Sequence, residues 1–248
     1  MSYINRFYQG FWLSISSFLL IWKEKIPFLH FLIIETTGLR LYAAMSKISK
    51  TSGGSHILMK AAALWLIITI LTFFNACIVY LTMQHIKGNM PTCGDAFQAC
   101  LAKRKPLIIW TLLSATITTT TCMLLERAIT MPLICYIILA VLVILWHLVT
   151  TFVLPMIMFE RKTIVQTIIA SHALFHEQWV EIVAGGSSFA VIILLSLLAT
   201  IIPSPLAVAF LMSTLSTTIA IFQTKLYYNH EKNTLQELEE LQRESLFE

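Results

Sequence analysis

Long apolar stretches alternate with short polar breaks along the chain, and most stretches have the length of a membrane crossing. A crossing takes about 20 apolar residues to cover a hydrocarbon core of roughly 30 Å. The first stretch, residues 4–22, reads INRFYQGFWLSISSFLLIW. Phe7, Phe11, Ile15, Phe18 and Trp22 recur at helical spacing, while Asn5, Gln9, Ser14, Ser16 and Ser17 interrupt the apolar surface. This pattern predicts an interfacial amphipathic helix or a hydrophobic entry segment. WKEKIP follows where a small-x-small site would mark a signal peptide, which argues against cleavage. A first crossing falls at 27–44, where only Phe28–Ile34 is cleanly apolar and His30, Glu35 and Arg40 interrupt. It either spans the bilayer or re-enters it behind other helices. TSGGS at 51–55 is a flexible break.

The second crossing, Ala61–Met83, carries Asn75 near its middle. Thr92 and Asp95 then form a T-x-x-D capping pattern for a short helix running to about Arg104. The third crossing is 106–125. The fourth is 131–159, long enough to tilt, with Pro155 as its expected kink. Residues 161–183 are amphipathic: Ile164, Ile168, Phe175, Trp179 and Ile182 share a stripe, with Gln166, Glu177 and Glu181 elsewhere. The fifth and sixth crossings, 183–202 and 205–223, flank a tight Pro203-Ser204-Pro205 turn. A polar tail, 226–248, follows, with Thr234 and Glu237 as a second capping box for a final short helix. The expected fold is therefore all-α: a polytopic transmembrane bundle of six spans (a single domain, 1–225) with cytoplasmic amphipathic helices.

Composition narrows the chemistry. Of the 248 residues, 57% are hydrophobic and 12% charged, against about 45–50% and about 25% in soluble domains. Mean hydropathy is +0.78. These values argue against a soluble enzyme or a disordered chain. Asp95 is the sole aspartate, so two-aspartate proteolysis and Asp-rich Mg²⁺ sites are excluded. The five cysteines (77, 93, 100, 122, 135) include no CxxC and do not suggest a disulfide framework. The net charge of +4 is no nucleic-acid signature. Lysine and arginine instead report orientation. With the N-terminus inside, Arg40, Lys47, Lys50, Lys60 and Arg127 lie outside and the other 12 of 17 basic residues inside. Both termini are thus expected on the cytoplasmic side.

Polar groups at membrane depth are the main candidates for chemistry. Asn75, Ser114, Thr116, the run Thr118, Thr119, Thr120 and Thr121, and His147 define a polar track between the second, third and fourth crossings. Such groups face the bundle interior and need partners. Either they bond between helices and back to their own carbonyls, or they line a pathway in which His147 accepts or relays a proton. His172 and His176 share a helix face, but His176-Glu177-Gln178-Trp179-Val180 lacks the second histidine of HExxH. His85, Cys93 and Cys100 match no standard zinc spacing. Gly185-Gly186-Ser187-Ser188 has no histidine behind it for a serine protease and reads as a close helix approach. Lys103, Arg104 and Lys105 set topology and touch anionic lipid headgroups.

Phe74-Asn75-Ala76, Gly88-Asn89-Met90-Pro91-Thr92, Trp110, Ser114-Ala115-Thr116, Val153-Leu154-Pro155, Glu160, Ile169-Ala170-Ser171 and Trp179 occur in an order and spacing that resemble a group of bacterial multi-pass membrane proteins classed only as a domain of unknown function. The likeness covers about residues 70–190, with a weaker match at Trp22–Phe28. It departs at Thr118–Thr121, where glycines and aliphatics are more usual. It implies a six-helix protein of the bacterial inner membrane with cytoplasmic amphipathic helices, and it implies no activity. The layout is also loosely similar to membrane domains fused to glycerophosphodiester phosphodiesterases. The expected role is a non-catalytic scaffold or accessory factor without cofactor or metal. Its expected partners are membrane lipids and another membrane or cytoplasmic protein, reached through the amphipathic helices or the tail. The alternative is a transporter or lipid or small-molecule carrier using the polar track at Asn75, Thr118–Thr121 and His147.

Overall fold

A computed structural model of the chain describes residues 3–23, 56–128, 133–199 and 205–245, which are all-helical. The eight helices among the described residues are α1 (Tyr3–Lys23), α2 (His56–Ile86), α3 (Cys93–Ala102), α4 (Arg104–Ala128), α5 (Leu133–Val149), α6 (Val153–Phe159), α7 (Ile164–Ala199) and α8 (Pro205–Ser245). The expected first crossing at 27–44 and the 51–55 break lie outside the described residues. Within α2, Ala61–Ile86 is long and apolar enough to cross a membrane, and it is the one such helix among the described residues.

Local chemistry explains most boundaries. Helix α2 ends at Gly88, whose φ of +82° suits a residue without Cβ. Gly88 N–H donates to His85 O and Asn89 N–H to Gln84 O, closing the last turn in a Schellman motif. The Thr92–Asp95 capping box opens α3 as expected. Bonds from Thr92, its backbone N–H first, hold the Asp95 carboxyl below the usual carboxylate range. A second box forms at Thr163–Gln166: Thr163 N–H donates to Gln166 Oε1 (3.1 Å) and Gln166 N–H to Thr163 Oγ1 (3.4 Å).

Three expected boundaries change. The 131–159 stretch is not one helix. It breaks at Thr150–Phe152, between α5 and α6, and Pro155 falls three residues into α6, where its missing N–H costs nothing. Buried Ser171 of α7 stitches the break. Its hydroxyl accepts from Phe152 N–H (3.1 Å) and donates to Val149 O (2.7 Å). Second, the amphipathic stretch and the fifth expected crossing are one helix, α7, interrupted only at Gln178 (φ −108°, ψ 17°). Third, the tail is no separate helix: α8 runs unbroken through 225, and Thr234 Oγ1 bonds back to His230 O.

Helix α1 packs along α7 and α8, and α2 packs on α3, α4, α6 and α8. Helix α1 makes its contacts through small residues. Gly10, Ser14 and Ser17 face inward, while Phe7, Tyr8, Phe11 and Trp12 are exposed and Ile15 and Phe18 half-buried. A Cβ on Gly10 would lie 2.3 Å from Glu181 O, so only glycine admits this approach. Arg6 meets Glu181 in a forked ion pair (2.6 and 2.8 Å) and also donates to Glu177 O. Glu181 is therefore buried beneath α1 and does not join the polar face expected for 161–183. The forked bond, then the carboxylate's charge, hold the Arg6 guanidinium above its ordinary value against the cost of burial.

Burial is graded along the bundle. At the C-terminal half of α2, Ala76–Val79 and Leu81–Met83 are almost wholly buried, whereas Leu66 (54% exposed) and Ile70 (41%) are not. Two clusters make the closed end. One joins Cys77 and Ile78 to Cys100, Leu107, Trp110, Val153 and Ile221; the other joins Met83, Phe152, Met156, Leu174 and Phe222. Helix α6, buried except at half-buried Leu154 and Phe159, feeds both. On faces turned away from the clusters, Ile108, Leu112 and Leu124 of α4 and Ile137, Val141 and Leu145 of α5 are exposed.

Candidate functional site

A cavity of about 410 Å³ lies where α2, α4, the α5–α6 break and α8 meet. Helical periodicity builds its walls. Ile68, Thr72 and Asn75 share one face of α2; Trp110, Ser114 and Thr118, spaced by four, share one face of α4. His147, Thr150 and Thr151 come from the end of α5 and the break, and Leu215, Ser216, Ile219 and Gln223 from α8. Four residues of the sequence-derived track (Asn75, Ser114, Thr118 and His147) thus converge on one space. Its floor is braced by Trp110 stacked on Trp146, with ring centroids 6.2 Å apart.

The polar lining is only partly consumed by the fold. Asn75 and Ser216 bond across α2 and α8 at 3.3–3.4 Å. Thr72, Thr150 and Thr151 donate to carbonyls of their own helices. Among the described residues, no hydrogen-bond partner engages the Ser114 or Thr118 hydroxyl or the His147 ring. The lining contains no Asp, Glu, Lys or Arg.

The threonine run does not enter as a block. Consecutive helical residues are separated by about 100°, so only Thr118 reaches the cavity. Thr119 is buried with an unpartnered hydroxyl, Thr120 is exposed, and Thr121 donates to Ile117 O. Thr116 is exposed, bonds to Leu112 O and accepts from Trp65 Nε1. Ser216 and Gln223 escaped the sequence reading, although residues seven apart share one face of a helix; Ser213, Thr214, Thr217 and Thr218 beside them obscured that face. Thr150 and Thr151 escaped because the break itself was not foreseen.

The basic run is likewise divided. Lys103 Nζ donates to Glu160 O (2.9 Å), while Arg104 and Lys105 are exposed. Lys87 Nζ lies 5.8 Å from the Phe159 ring. Glu160 accepts from Tyr227 Oη (2.7 Å) and pairs with Lys162 (2.6 Å). Burial, then the Glu160 bond, push the Tyr227 phenol up. On α8, Lys225 donates to Ser16 Oγ (2.9 Å), and burial of its ammonium pushes it down to about 8.

The remaining candidates separate. His172 and His176 are exposed, and Glu177 faces His230 at 3.5 Å. No cluster of three metal-ligating side chains occurs among the described residues. Cys100 meets Cys77 thiol to thiol at 3.3 Å; that contact, then burial, hold the Cys100 thiol protonated. Gly185 does serve a close approach, since a Cβ there would meet the Phe222 ring at 2.2 Å, whereas Gly186 faces open space.

No curated protein matches the chain, and no solved structure does. A family of unknown function, DUF6159, matches residues 57–228. That range holds α2 through α7 and the cavity-lining part of α8. The chain belongs to this family.

Proposed function

We propose that the protein is a six-span protein of the bacterial inner membrane, with both termini cytoplasmic, that binds a small uncharged polar solute between its helices without transforming it. One observation carries this reading: the polar side chains of four segments converge on a single cavity beside a broken helix. At membrane depth, non-helical backbone is tolerated where it is enclosed by protein or lines a polar cavity. Discontinuous helices mark substrate sites in transporters for that reason. The volume lies within the usual range for small-ligand sites, about 300–1,000 Å³. A lining of hydroxyls, amides and one imidazole, with no ionised group, favours a neutral hydrogen-bonding solute, because a buried charge would be uncompensated. The outward apolar side chains of α1, α4 and α5 support the membrane setting.

Proteoliposomes containing the full chain should pass or bind members of a panel of neutral polyols and amides. His147→Leu and Asn75→Leu should each cut that signal about tenfold while the protein remains folded. Equal signals from wild type and both variants, or no signal across the panel, would overturn the reading.

A second role rests on α8. Residues 231–236, beyond the bundle, are exposed, and Leu235 is 55% exposed. This supports a scaffold or accessory role in which the tail grips another protein. Deleting 226–248 should abolish co-purification of that partner; undiminished association would remove the tail from the contact.

A further inference from the structure

We propose that the groove between α2, α3 and α4 is a binding site for one acyl chain of an anionic glycerophospholipid, whose phosphate sits on Arg104. The proposal rests on the membrane reading above and names a ligand for a different site. The groove encloses about 420 Å³, and its walls are almost purely apolar, formed by Ile70, Phe73, Phe97, Leu101 and Ile108. Phe73 and Phe97 meet edge to face at 5.5 Å and fix α3 against α2.

The charge lies at one point. Among the described residues, Arg104 is the only ionisable side chain lining the groove, it is exposed, and no carboxylate pairs with it. Its neighbour Lys103 is held on Glu160 O, so the exposed Arg104 and Lys105 are the charges left to meet a phosphate. A guanidinium binds phosphate oxygens in a two-pronged geometry. The groove also opens on a strip of exposed apolar side chains, Ile70 of α2, Phe97 and Leu101 of α3, and Ile108 and Leu112 of α4. An apolar slot with one cation beside it matches a lipid tail and its anionic head. It does not match a water-soluble phosphate, which would leave the slot empty, nor a neutral lipid, which would leave Arg104 unmatched.

The test uses the full chain carrying p-benzoylphenylalanine in place of Leu101, reconstituted in phosphatidylcholine vesicles with a minor share of phosphatidylglycerol. After illumination, mass spectrometry identifies what is attached. Phosphatidylglycerol should be enriched about fivefold over its bulk share, the equivalent of ~1 kcal/mol for one cation at an anionic surface. Arg104→Gln should return adducts to the bulk ratio, and Arg104→Lys should keep part of the enrichment. The same photoreactive residue at Leu66, exposed on α2 away from the groove, should label lipid in the bulk ratio. Bulk-ratio adducts at Leu101 in the otherwise wild-type chain overturn the site alone. A protein adduct there, from a second copy or another chain, gives the groove to that occupant and also overturns it. Absence of lipid adducts at Leu66 overturns the membrane reading as well.

Discussion

Replacing Ser171 with alanine should destabilise the protein well beyond a routine surface change. Ser171 is fully buried, and its one hydroxyl serves both sides of the α5–α6 break, from Phe152 N–H and to Val149 O. Ser171→Ala deletes the bond to Val149 O, which contributes about 1 kcal/mol net. It also strands the Phe152 amide in a residue with no exposure, and an unmade buried bond costs about 1–3 kcal/mol. The expected loss is therefore ~2–4 kcal/mol. For a chain of this length that lowers the thermal midpoint by about 5–15 °C. The measurement is thermal unfolding of the purified chain in mild detergent, followed by circular dichroism. A shift within the noise of a surface substitution, about 0.5 kcal/mol, would mean that the break is held by something other than Ser171, and the account of the discontinuous helix would fall with it.

Gly10→Ala places a methyl 2.3 Å from Glu181 O, so it should lift α1 at a cost of about 1–3 kcal/mol and expose residues 3–23 to protease, while Gly186→Ala, which meets nothing within 4 Å, should be neutral or stabilising by roughly 0.5–1 kcal/mol. Lys225, pushed down to about 8, binds its proton less readily folded than unfolded, where its pKa is about 10.4. Stability should accordingly rise as pH climbs from 8 to 10, and Lys225→Met should flatten that slope in pH-dependent melting. Thr82 is fully buried with an unpartnered hydroxyl. Thr82→Val should raise stability by about 1 kcal/mol in the same melting assay, and a decrease would show that the hydroxyl is in fact satisfied.

Much of the cavity was legible because its chemistry is sparse. Asn75 and His147 stand out against apolar neighbours, and spacing by four put Ser114 and Thr118 on the face of Trp110. What sequence could not supply was rotation and continuity. Four successive threonines look like one polar patch, yet helical geometry sends each a different way. Pro155 was the obvious place for a kink, but a proline near a helix start is comfortable, and the break instead follows from a serine on another helix. The same limit applies to α1. Its apolar stripe predicted an interfacial or entry helix but did not reveal that the small residues Gly10, Ser14 and Ser17 form the contact face, where a close helix approach favours small side chains. The unbroken α8 shows why Thr234 misled: a threonine that can cap a helix can equally bond its own helix at i−4.

The packing of α1 also sets a timetable. Arg6 finds Glu181 across 175 residues of chain, and Ser16 finds Lys225 across 209. Helix α1 therefore docks on helices made much later than itself. At synthesis rates of about 5–20 residues per second, α1 waits roughly 10–35 s before Glu181 exists. In the membrane setting proposed above, its outward Tyr8 and Trp12 would give it somewhere to wait, since aromatic side chains of this kind settle at the lipid–water boundary. The side chains that look misplaced in the finished bundle thus suit the helix to the interval before its partners arrive.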